Sequence, residues 1–573
     1  MKRSVHIMEY CCETIENTTI SPAIKKMRSI QKPSIKGSFF DYISTDQWSG
    51  FGYCIPKSSL NHDEIELHRK KLRLEPRLNL LFNPAKRKLE EKDIYYMYHE
   101  DQKHFVVPRM YGIQTWGSPE KNNFTIGEQM QNTIEFIGKP KGSKIDEPPQ
   151  IKSINRILRY FGHKNLIPMN DTQNLFQEEF EENGSTCIMS LPCGFGKTFC
   201  ALYIAHQLKR KTIVFVHREH LLDGWKADIN RFMPGTRIGI IKGPKVDVKD
   251  KDIVIAMIQS VVRKPYDENV FKGFGFAIVD EAHHICAHSF CTIFDKIGAK
   301  NVLGLSATPQ RSDGLNNLLN WLLGPIIVKE AELPSRILCS IVKYKHDEQK
   351  EIFYKGNLQM SQMINTILAD NYRNMLMAKI IVDLVLKPAP LLIPRKVLFL
   401  SERSRDKHLD TMQKLIAIQA KNVYCYLNKN TTKEQISEEW EGKYKFVLYK
   451  QETEKTPIFS IGFLVGGMKN QEDRETAKSC NVILSLFHCT EDGFNCPELD
   501  TLVVAISSRG SIKQAKGRIE REHPNKNIPK IVEIVDQFSK FQSIGNGHVR
   551  YYEKCGCQIQ FIPHEKKILS NNK

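Results

Sequence analysis

The sequence predicts an α/β protein in which two doubly wound parallel-sheet lobes follow each other along the chain, after an N-terminal accessory module. Short apolar, β-rich runs alternate with helical patterns, as expected where helices cover both faces of a parallel sheet. The alternation forms two series, which the proline-rich stretch KPAPLLIP at 387–394 separates. The length of 573 residues is also enough for about three or four domains.

The N-terminal part, residues 1–145, contains mixed basic and acidic runs and short apolar-aromatic segments. We interpret it as a small α/β or β-rich accessory module with solvated charged faces. A stretch rich in Pro, Gly and Lys at 137–150 predicts a linker after it. All motifs discussed below lie beyond residue 150, so we expect the chemistry of the chain not to need this module.

Each lobe is predicted from its own series of apolar runs. The first lobe, 146–330, opens with the helical pattern IKSINRILRYF and has strands predicted at 186–192, 211–217, 252–259, 276–282 and 302–308. The second lobe, 395–560, has strands predicted at 395–401, 423–427, 461–467, 481–487, 501–507 and 530–536. Residues 331–394 are interpreted as a connecting segment and hinge, and 561–573 as a polar tail.

Composition excludes several classes of protein. The apolar fraction of 41% and the charged fraction of 26% are typical of globular chains. No apolar run approaches the ~18 residues of a membrane span, and the N-terminus lacks the apolar segment of a secretory signal. The 15 cysteines are scattered without a CxxC, which indicates reduced thiols in an intracellular, cytosol-like compartment and no structural zinc. The net charge of +18 fits a polyanionic partner, although charge alone identifies none.

A glycine-bearing loop, SLPCGFGKT, lies between an apolar run and a helical pattern, which is the setting of a phosphate-binding loop. In such a loop Lys197 reaches the β/γ oxygens and the Thr198 hydroxyl takes Mg²⁺. A chance Gly-Lys-Thr in a surface loop is the alternative, since Leu191 replaces the first glycine of the general pattern. The candidate nucleotide-binding residues here are Leu191, Pro192, Cys193, Gly194, Phe195, Gly196, Lys197 and Thr198.

A pair of carboxylates closes a later strand. Asp280 and Glu281 follow the apolar run FAIV, where an acid beside the phosphate loop can hold Mg²⁺ and its neighbour can orient the attacking water. The alternative is a solvated strand end, but the phosphate loop in the same lobe argues against it. The nearby histidines and cysteines match no zinc framework. We therefore assign His283 to the carboxylate loop.

Four motifs together are similar to those of superfamily 2 helicases with a DEAH box: LPCGFGKT, VDEAH, GLSATPQRSDGL at 304–315 and QAKGRIER at 514–521. The sequence further resembles the XPB-type branch and its relatives in large DNA viruses, including the poxviral transcript-release helicase. VHREHLLDGW, VLFLSERSRDKHLDTM and CTEDGFNCPELDT are similar to motifs Ia, IV and V. The resemblance implies two RecA-like lobes that use ATP and Mg²⁺.

The resemblance also implies roles for individual residues. The catalytic set is Glu281, Arg518, Arg521 and Gln514. The two arginines, spaced i and i+3 in a helical pattern, would cross the cleft to the γ-phosphate, and Gly517 would let that helix approach the facing lobe. Coupling between nucleotide and nucleic acid is assigned to His283, Ser306, Thr308, Asp492 and Gly493. Gln150 is the candidate that reads adenine, with Gln173 and Gln177 as alternatives.

The expected activity is that of an ATP-dependent helicase or translocase acting on DNA in viral transcription or repair. Transcription machinery is a candidate partner, and a virion is a candidate location. The residues expected to contact nucleic-acid phosphates are His217, Arg218, Lys242 and Arg311. One alternative is an RNA helicase. Another is a non-catalytic nucleic-acid-binding scaffold on a helicase fold, which predicts a damaged lysine, acid or arginine.

Overall fold

A computed structural model describes most of the chain from residue 52 to residue 563. The described ranges are 38–39, 43–44, 49–50, 52–75, 94–119, 124–141 without 132, 149–168, 185–284, 291–307, 316–331, 335–346, 349–387, 393–451, 455–490 without 467 and 469, 496–508, 512–524 without 522, and 526–563. None of the helices in these ranges has the length and hydropathy that crossing a membrane requires.

The N-terminal module consists of short antiparallel strands and two helices, with a four-stranded sheet in the order β1-β4-β8-β7. Helix α1 begins at a capping box between Asn61 and Glu64. The strands are β1 (Ser38–Phe39), β2 (Ile43–Ser44), β3 (Ser49–Gly50), β4 (Tyr53–Pro56), β5 (Arg73–Leu74), β6 (Tyr95–Tyr96), β7 (His99–Glu100) and β8 (His104–Val107). The helices are α1 (His62–Leu72) and α2 (Arg109–Trp116).

The first lobe is built on an eight-stranded sheet in the order β12-β11-β13-β10-β14-β15-β9-β16. All neighbours are parallel except β11 and β12. The strands are β9 (Thr186–Ser190), β10 (Thr212–Val216), β11 (Ile238–Lys242), β12 (Lys245–Val246), β13 (Ile253–Met257), β14 (Phe276–Val279), β15 (Asn301–Ser306) and β16 (Ile326–Lys329). The helices are α3 (Gln150–Tyr160), α4 (Lys197–Leu208), α5 (Glu219–Phe232), α6 (Ile258–Arg263) and α7 (Asn316–Leu323).

The second lobe has a nine-stranded sheet in the order β21-β22-β23-β24-β20-β25-β26-β17-β27, which is parallel from β23 onward. The strands are β17 (Leu338–Tyr344), β18 (Phe353–Tyr354), β19 (Asn357–Leu358), β20 (Val397–Ser401), β21 (Ile436–Glu441), β22 (Lys445–Lys450), β23 (Thr456–Leu464), β24 (Val482–Leu486), β25 (Thr501–Val504), β26 (Lys530–Asp536) and β27 (Gln558–Pro563). The helices are α8 (Met360–Leu368), α9 (Asn371–Leu386), α10 (Asp410–Leu427), α11 (Gln471–Lys478), α12 (Phe487–Thr490), α13 (Lys513–Ile519) and α14 (Ser539–Lys554).

The predicted class, two α/β lobes with doubly wound parallel sheets, is confirmed. All five strands predicted for the first lobe are present, because their runs are buried on both faces of the sheet and therefore read as continuous apolar segments. Strand β11 was missed because its burial alternates along the strand, and its short sequence IGIIK contains a glycine.

Three expectations for the second lobe differ from the structure. The run VYCYL at 423–427 forms the end of α10 and not a strand, since a short apolar run has no periodicity that separates the two. The segment 331–394, expected to connect the lobes, instead contributes β17 to the second sheet, between β26 and β27, and α8 and α9 to its core. The second lobe therefore begins near residue 335, and β27 extends it into the expected tail.

The N-terminal module packs directly on the first lobe. Arg109, at the start of α2, donates from Nη1 to Thr186 Oγ1 at 2.7 Å and from Nη2 to the carbonyl of Ala299 at 3.2 Å. The rings of Tyr111 and Trp321 meet edge to face, with centroids 5.2 Å apart. The module is therefore held to the amino ends of the strands of the first sheet.

Residues 124–141, expected in the module and its linker, pack with the first lobe. The backbone N–H of Lys211 donates to the carbonyl of Glu128, and the two side chains form an ion pair at 2.8 Å. Met130 and Ile134 are buried in the core of the lobe. The polar composition of 137–150 hid these apolar residues just before it. The first lobe thus starts near residue 124 and not at 146, and a chain beginning at 146 would lack these contacts.

We expect Ile134→Ala in the full chain to lower the free energy of unfolding by about 2–5 kcal/mol, because it leaves a cavity in the core of the first lobe. Ile126→Ala is the matched control: it lies in the same segment with a side chain 59% exposed, and should change stability by less than about 0.5 kcal/mol. Urea unfolding followed by circular dichroism measures both. Equal midpoints would contradict the assignment of this segment to the lobe.

Candidate active site

The candidate residues of the first lobe meet at the carboxyl edge of its sheet. Because β10, β14, β15 and β9 are parallel and adjacent, the loops that follow them leave from one edge. The loop after β9 is the phosphate loop, and the loop after β14 carries Asp280 and Glu281. Strand β15 ends at Ser306, and β10 is followed by His217 and Arg218. The strand order therefore brings together residues far apart in the sequence.

The phosphate loop runs from Leu191 to Gly196, and helix α4 begins directly after it at Lys197. Gly194 and Gly196 have φ of 80° and 95°, a region that side chains disfavour. Gly196 is the N-cap of α4, so the unpaired N–H groups of the first helical turn face the loop. This backbone geometry is compatible with the predicted phosphate site, although Leu191 stands at the place of the first glycine.

Gln150 is hydrogen-bonded to the backbone of this loop. Its side chain is 6% exposed, its Nε2 donates to the carbonyl of Phe195 at 2.7 Å, and its Oε1 accepts from the N–H of Lys141 at 2.9 Å. Both ends of the amide that was expected to read adenine therefore bind the chain itself. The alternatives Gln173 and Gln177 lie outside the described residues.

Asp280 is buried and held by two donors. Its Oδ2 accepts from Trp225 Nε1 of α5 at 2.8 Å, and its Oδ1 accepts from the N–H of Glu281 at 3.0 Å. Burial and the neighbouring charge of Glu281 raise the pKa of Asp280 to about 6, while Trp225 and Lys197 act in the opposite direction. Trp225 was missed by the sequence analysis, although it ends the motif Ia segment VHREHLLDGW.

Glu281 combines a strained backbone with an unsatisfied oxygen. Its φ is 45°, in the left-handed region, and its buried Oε2 makes no hydrogen bond within the described part of the chain. Nδ1 of His283 lies 3.5 Å from that oxygen. Burial works against the charge on Lys197, but the neighbouring Cys193, Glu281 and Asp280 outweigh it and raise the pKa of Lys197. The carboxylate pair and the lysine thus form one charged cluster that can accept a cation and a water.

His283 connects the acid loop to β15. Its Nδ1 lies 3.1 Å from Ser306 Oγ, and the carbonyl of Ser306 accepts from the N–H of Leu191 at 3.2 Å. A chain of contacts therefore runs from the acid loop through β15 to the phosphate loop. Four other candidates lie outside the described residues: Thr308, Arg311, Asp492 and Gly493.

Helix α13 of the second lobe contacts the phosphate loop. A Cβ atom placed on Gly517 would lie 2.3 Å from Cys193 Cβ, so only glycine permits this approach. The expected role of Gly517 in close packing of the lobes is therefore consistent with the structure. Gln514 lies in the first turn of α13 and is partly exposed.

The two arginines lie at the same cleft but not on one helix face. Helix α13 ends at Ile519, so Arg521 lies beyond its end, which corrects the expected i and i+3 placement. Arg518 donates from Nε to the carbonyl of Thr490 at 3.0 Å, and its charge acts to lower the pKa of Lys197. Burial and the charge of Arg518 lower the pKa of Arg521 to about 10, while the neighbouring Cys193 and Asp228 act in the opposite direction. Asp228 is a first-lobe residue that the sequence analysis missed.

The described candidates for nucleic-acid contact lie at the same sheet edge and have contacts within the chain. Arg218 donates from Nη1 to the carbonyl of His488 in the second lobe at 3.1 Å. Lys242 forms an ion pair with Glu219, and His217 is buried, with its carbonyl accepting from Gln259. Arg218 therefore joins the lobes in this conformation.

We expect Gly517→Ala to slow ATP hydrolysis by about tenfold or more, because the new Cβ separates α13 from the phosphate loop and tenfold needs only ~1.4 kcal/mol. Cys193→Gly in the same chain removes the atom that is struck and should restore part of the rate. Steady-state kinetics of the two single variants and the double variant measure the coupling. Additive losses would contradict this contact.

The chain is similar to one protein family and to several viral proteins, three of which are described here. Residues 145–311 match the family "Type III restriction enzyme, res subunit". "Putative ATP-dependent RNA helicase L396" of Acanthamoeba polyphaga mimivirus is 25% identical over 521 residues, 89% of this chain and 85% of that protein. "Putative ATP-dependent RNA helicase QP509L" of African swine fever virus (strain Badajoz 1971 Vero-adapted) is 24% identical over 65% of this chain and 69% of its own length. "Probable helicase D10" of Escherichia phage T5 is 35% identical over 25% of this chain and 31% of its own length.

These matches agree with the helicase activity expected from the sequence. The family match begins just before α3 and ends shortly after β15, so it contains the phosphate loop and the acid pair. The mimiviral relative extends the similarity over most of the chain. Over residues 145–311 the first lobe is thus similar to domains of the ResIII type, and these matches support an ATP-dependent helicase activity for the chain.

Proposed function

We propose that this helicase is a DEAH-box motor of the XPB-like branch that moves along DNA in viral transcription or repair. The observation that carries the proposal is the contact of Gly517 in α13 with Cys193 in the phosphate loop, because it brings the second lobe to the nucleotide site. The names of the mimiviral and African swine fever virus relatives favour RNA as the alternative strand. The scaffold alternative is disfavoured, since Lys197, Glu281 and Arg518 are all intact.

The first lobe supplies the ground-state site for ATP. The N–H groups of the loop and of the first turn of α4 would bind the phosphates, and Lys197 would reach the β/γ oxygens. Thr198 and Asp280 would hold Mg²⁺, which when bound would neutralise charge on those oxygens. The unsatisfied oxygen of Glu281 supports this assignment, since buried carboxylate oxygens are normally paired.

Hydrolysis needs residues from both lobes. Glu281 would accept a hydrogen bond from the attacking water and align it with the γ-phosphate. Arg518 and Arg521 would place positive charge next to the negative charge that develops in the transition state. Gln514, in the same segment, is assigned to the same site. In this division the first lobe determines the affinity for ATP, and the closed arrangement of both lobes determines the rate of hydrolysis.

Coupling to nucleic acid would follow the carboxyl edge of the first sheet. His283 and Ser306 join the acid loop to β15, and Thr308, Asp492 and Gly493 are proposed to extend that path. His217, Arg218, Lys242 and Arg311 are proposed to contact strand phosphates. Because Arg218 also binds the carbonyl of His488, a strand that binds there would change the contact between the lobes.

ATP turnover of the full chain with single-stranded DNA, duplex DNA and RNA, compared side by side, tests the proposal. We expect DNA to stimulate turnover more than RNA, and Lys197→Ala to abolish turnover with every strand. Stronger stimulation by RNA would replace DNA with RNA as the track. Turnover that no nucleic acid stimulates would refute the motor.

We expect Glu281→Gln to retain ATP affinity while hydrolysis nearly stops, because the amide has no charge with which to polarise water. The variant should also remain on nucleic acid longer, since the closed state persists. Asp223→Asn is the control, an exposed acid on α5 outside the site. Radiolabelled ATP binding and single-turnover hydrolysis measure the two effects. Hydrolysis by the Gln variant near the parent rate would show that Glu281 has another role.

We expect Arg518→Ala and Arg521→Ala to lower kcat by about 10³-fold while the Kd for ATP changes little. Lysine should not rescue either position, because a point charge cannot reproduce the planar guanidinium. Lys513→Ala removes an exposed cation from helix α13 and serves as the control. If both alanine variants keep nucleic-acid-stimulated turnover, these arginines do not complete the site.

A further inference from the structure

A short hairpin in the second lobe exposes two neighbouring aromatic rings. Strands β18 and β19 pair antiparallel, with Phe353 opposite Leu358 and Tyr354 opposite Asn357. Phe353 and Tyr354 are each 58% exposed. Because successive side chains alternate along a strand, the two rings lie on opposite faces of the hairpin. We call residues 352–358 the aromatic hairpin.

The aromatic hairpin packs on the second lobe at its base and closes in a tight turn at its tip. Ile352 and Leu358 pack against the core of the second lobe, and the N–H of Gln359 donates to the carbonyl of Ile352 at 2.7 Å. At the tip, Lys355 and Gly356 have φ of 48° and 77°, as in the two-residue turns that match strand twist. The two rings are therefore exposed on paired strands and not on an irregular loop.

The aromatic hairpin lies at the carboxyl edge of the second sheet. It follows β17, which runs parallel to β26, and it is followed directly by α8. Arg403, in the loop after β20, donates from Nη2 to the carbonyl of Ser361 in α8 at 2.6 Å. Strand β20 neighbours β24, after which His488 accepts from Arg218 of the first lobe. The hairpin is thus on the sheet edge where the lobes meet.

We propose that the aromatic hairpin binds unpaired bases of the nucleic-acid strand by stacking, an inference that rests on the proposed motor function. Two rings on opposite faces offer a stacking surface to each of two bases, and base–aromatic stacking tolerates any sequence. Lys355 and Lys350 flank the rings and complement the strand phosphates, with Glu351 as the acidic neighbour in the described segment. Lys355 already lies over the Tyr354 ring at 5.4 Å.

Fluorescence anisotropy of the full chain with labelled oligo(dT), oligo(U) and a blunt DNA duplex tests the proposal. The double variant Phe353→Ala/Tyr354→Ala should lose about fivefold to a hundredfold in affinity for single strands, and much less for the duplex. Phe353→Tyr/Tyr354→Phe should bind like the parent, whereas Phe353→Leu/Tyr354→Leu should bind like the alanine variant. The thermal midpoint of each variant checks that it is folded.

Tyr426→Ala is the matched control, because Tyr426 is a 76% exposed ring in the same lobe at the end of α10. Its affinity for all three probes should equal that of the parent. If the parent binds single strands and the alanine double variant binds them equally well, or if leucine retains affinity, stacking by the hairpin is refuted and its rings have another occupant, such as a protein. If the parent binds no strand and none stimulates its turnover, the motor function itself fails, and this inference fails with it.

Discussion

The approach of helix α13 to the phosphate loop is the constraint on which the site depends. Any side chain at Gly517 would overlap with Cys193. The backbone of α13 in the second lobe can therefore pack directly against the phosphate loop of the first lobe. That contact brings Arg518 and Arg521 within electrostatic range of Lys197 and Cys193. Positive charge from the second lobe is thereby added to a cluster whose acids belong to the first. Small changes in lobe spacing should therefore change the electrostatics of the nucleotide site.

Buried polar networks hold the strand ends of the second lobe in place. Arg373 is fully buried and donates from Nε and Nη2 to the two oxygens of Asp536 at 2.7 and 2.8 Å, and His346 contacts the same carboxylate at 2.8 Å. Breaking one partner of such a pair leaves an uncompensated buried charge, which typically costs about 3–5 kcal/mol. These contacts join α9, β26 and the segment that leads from β17 to the aromatic hairpin. The sheet edge that faces the first lobe is thus stabilised by buried charged and polar side chains that take no part in the proposed chemistry.

Helix α5 connects several parts of the first lobe site. It begins after Arg218, which binds the carbonyl of His488, and its Trp225 donates to Asp280. Asp228, one turn further, acts on the charge of Arg521. This helix therefore follows the interlobe contact, donates to the acid pair and lies within electrostatic range of an arginine of the facing lobe.

The sequence by itself determined the two-lobe class, because strands buried on both faces form continuous apolar runs. It also predicted the phosphate loop and the acid pair from local patterns, namely a glycine turn before a helix and carboxylates at a strand end. It also singled out Gly517 as a point of close approach. Only the tertiary structure decided that Gln150 binds Phe195 and Lys141, that residues 124–141 and 335–386 belong to the lobes, and that Trp225 holds Asp280. These features depend on contacts between residues distant in the chain, and neither composition nor periodicity encodes which distant partner a buried donor will meet.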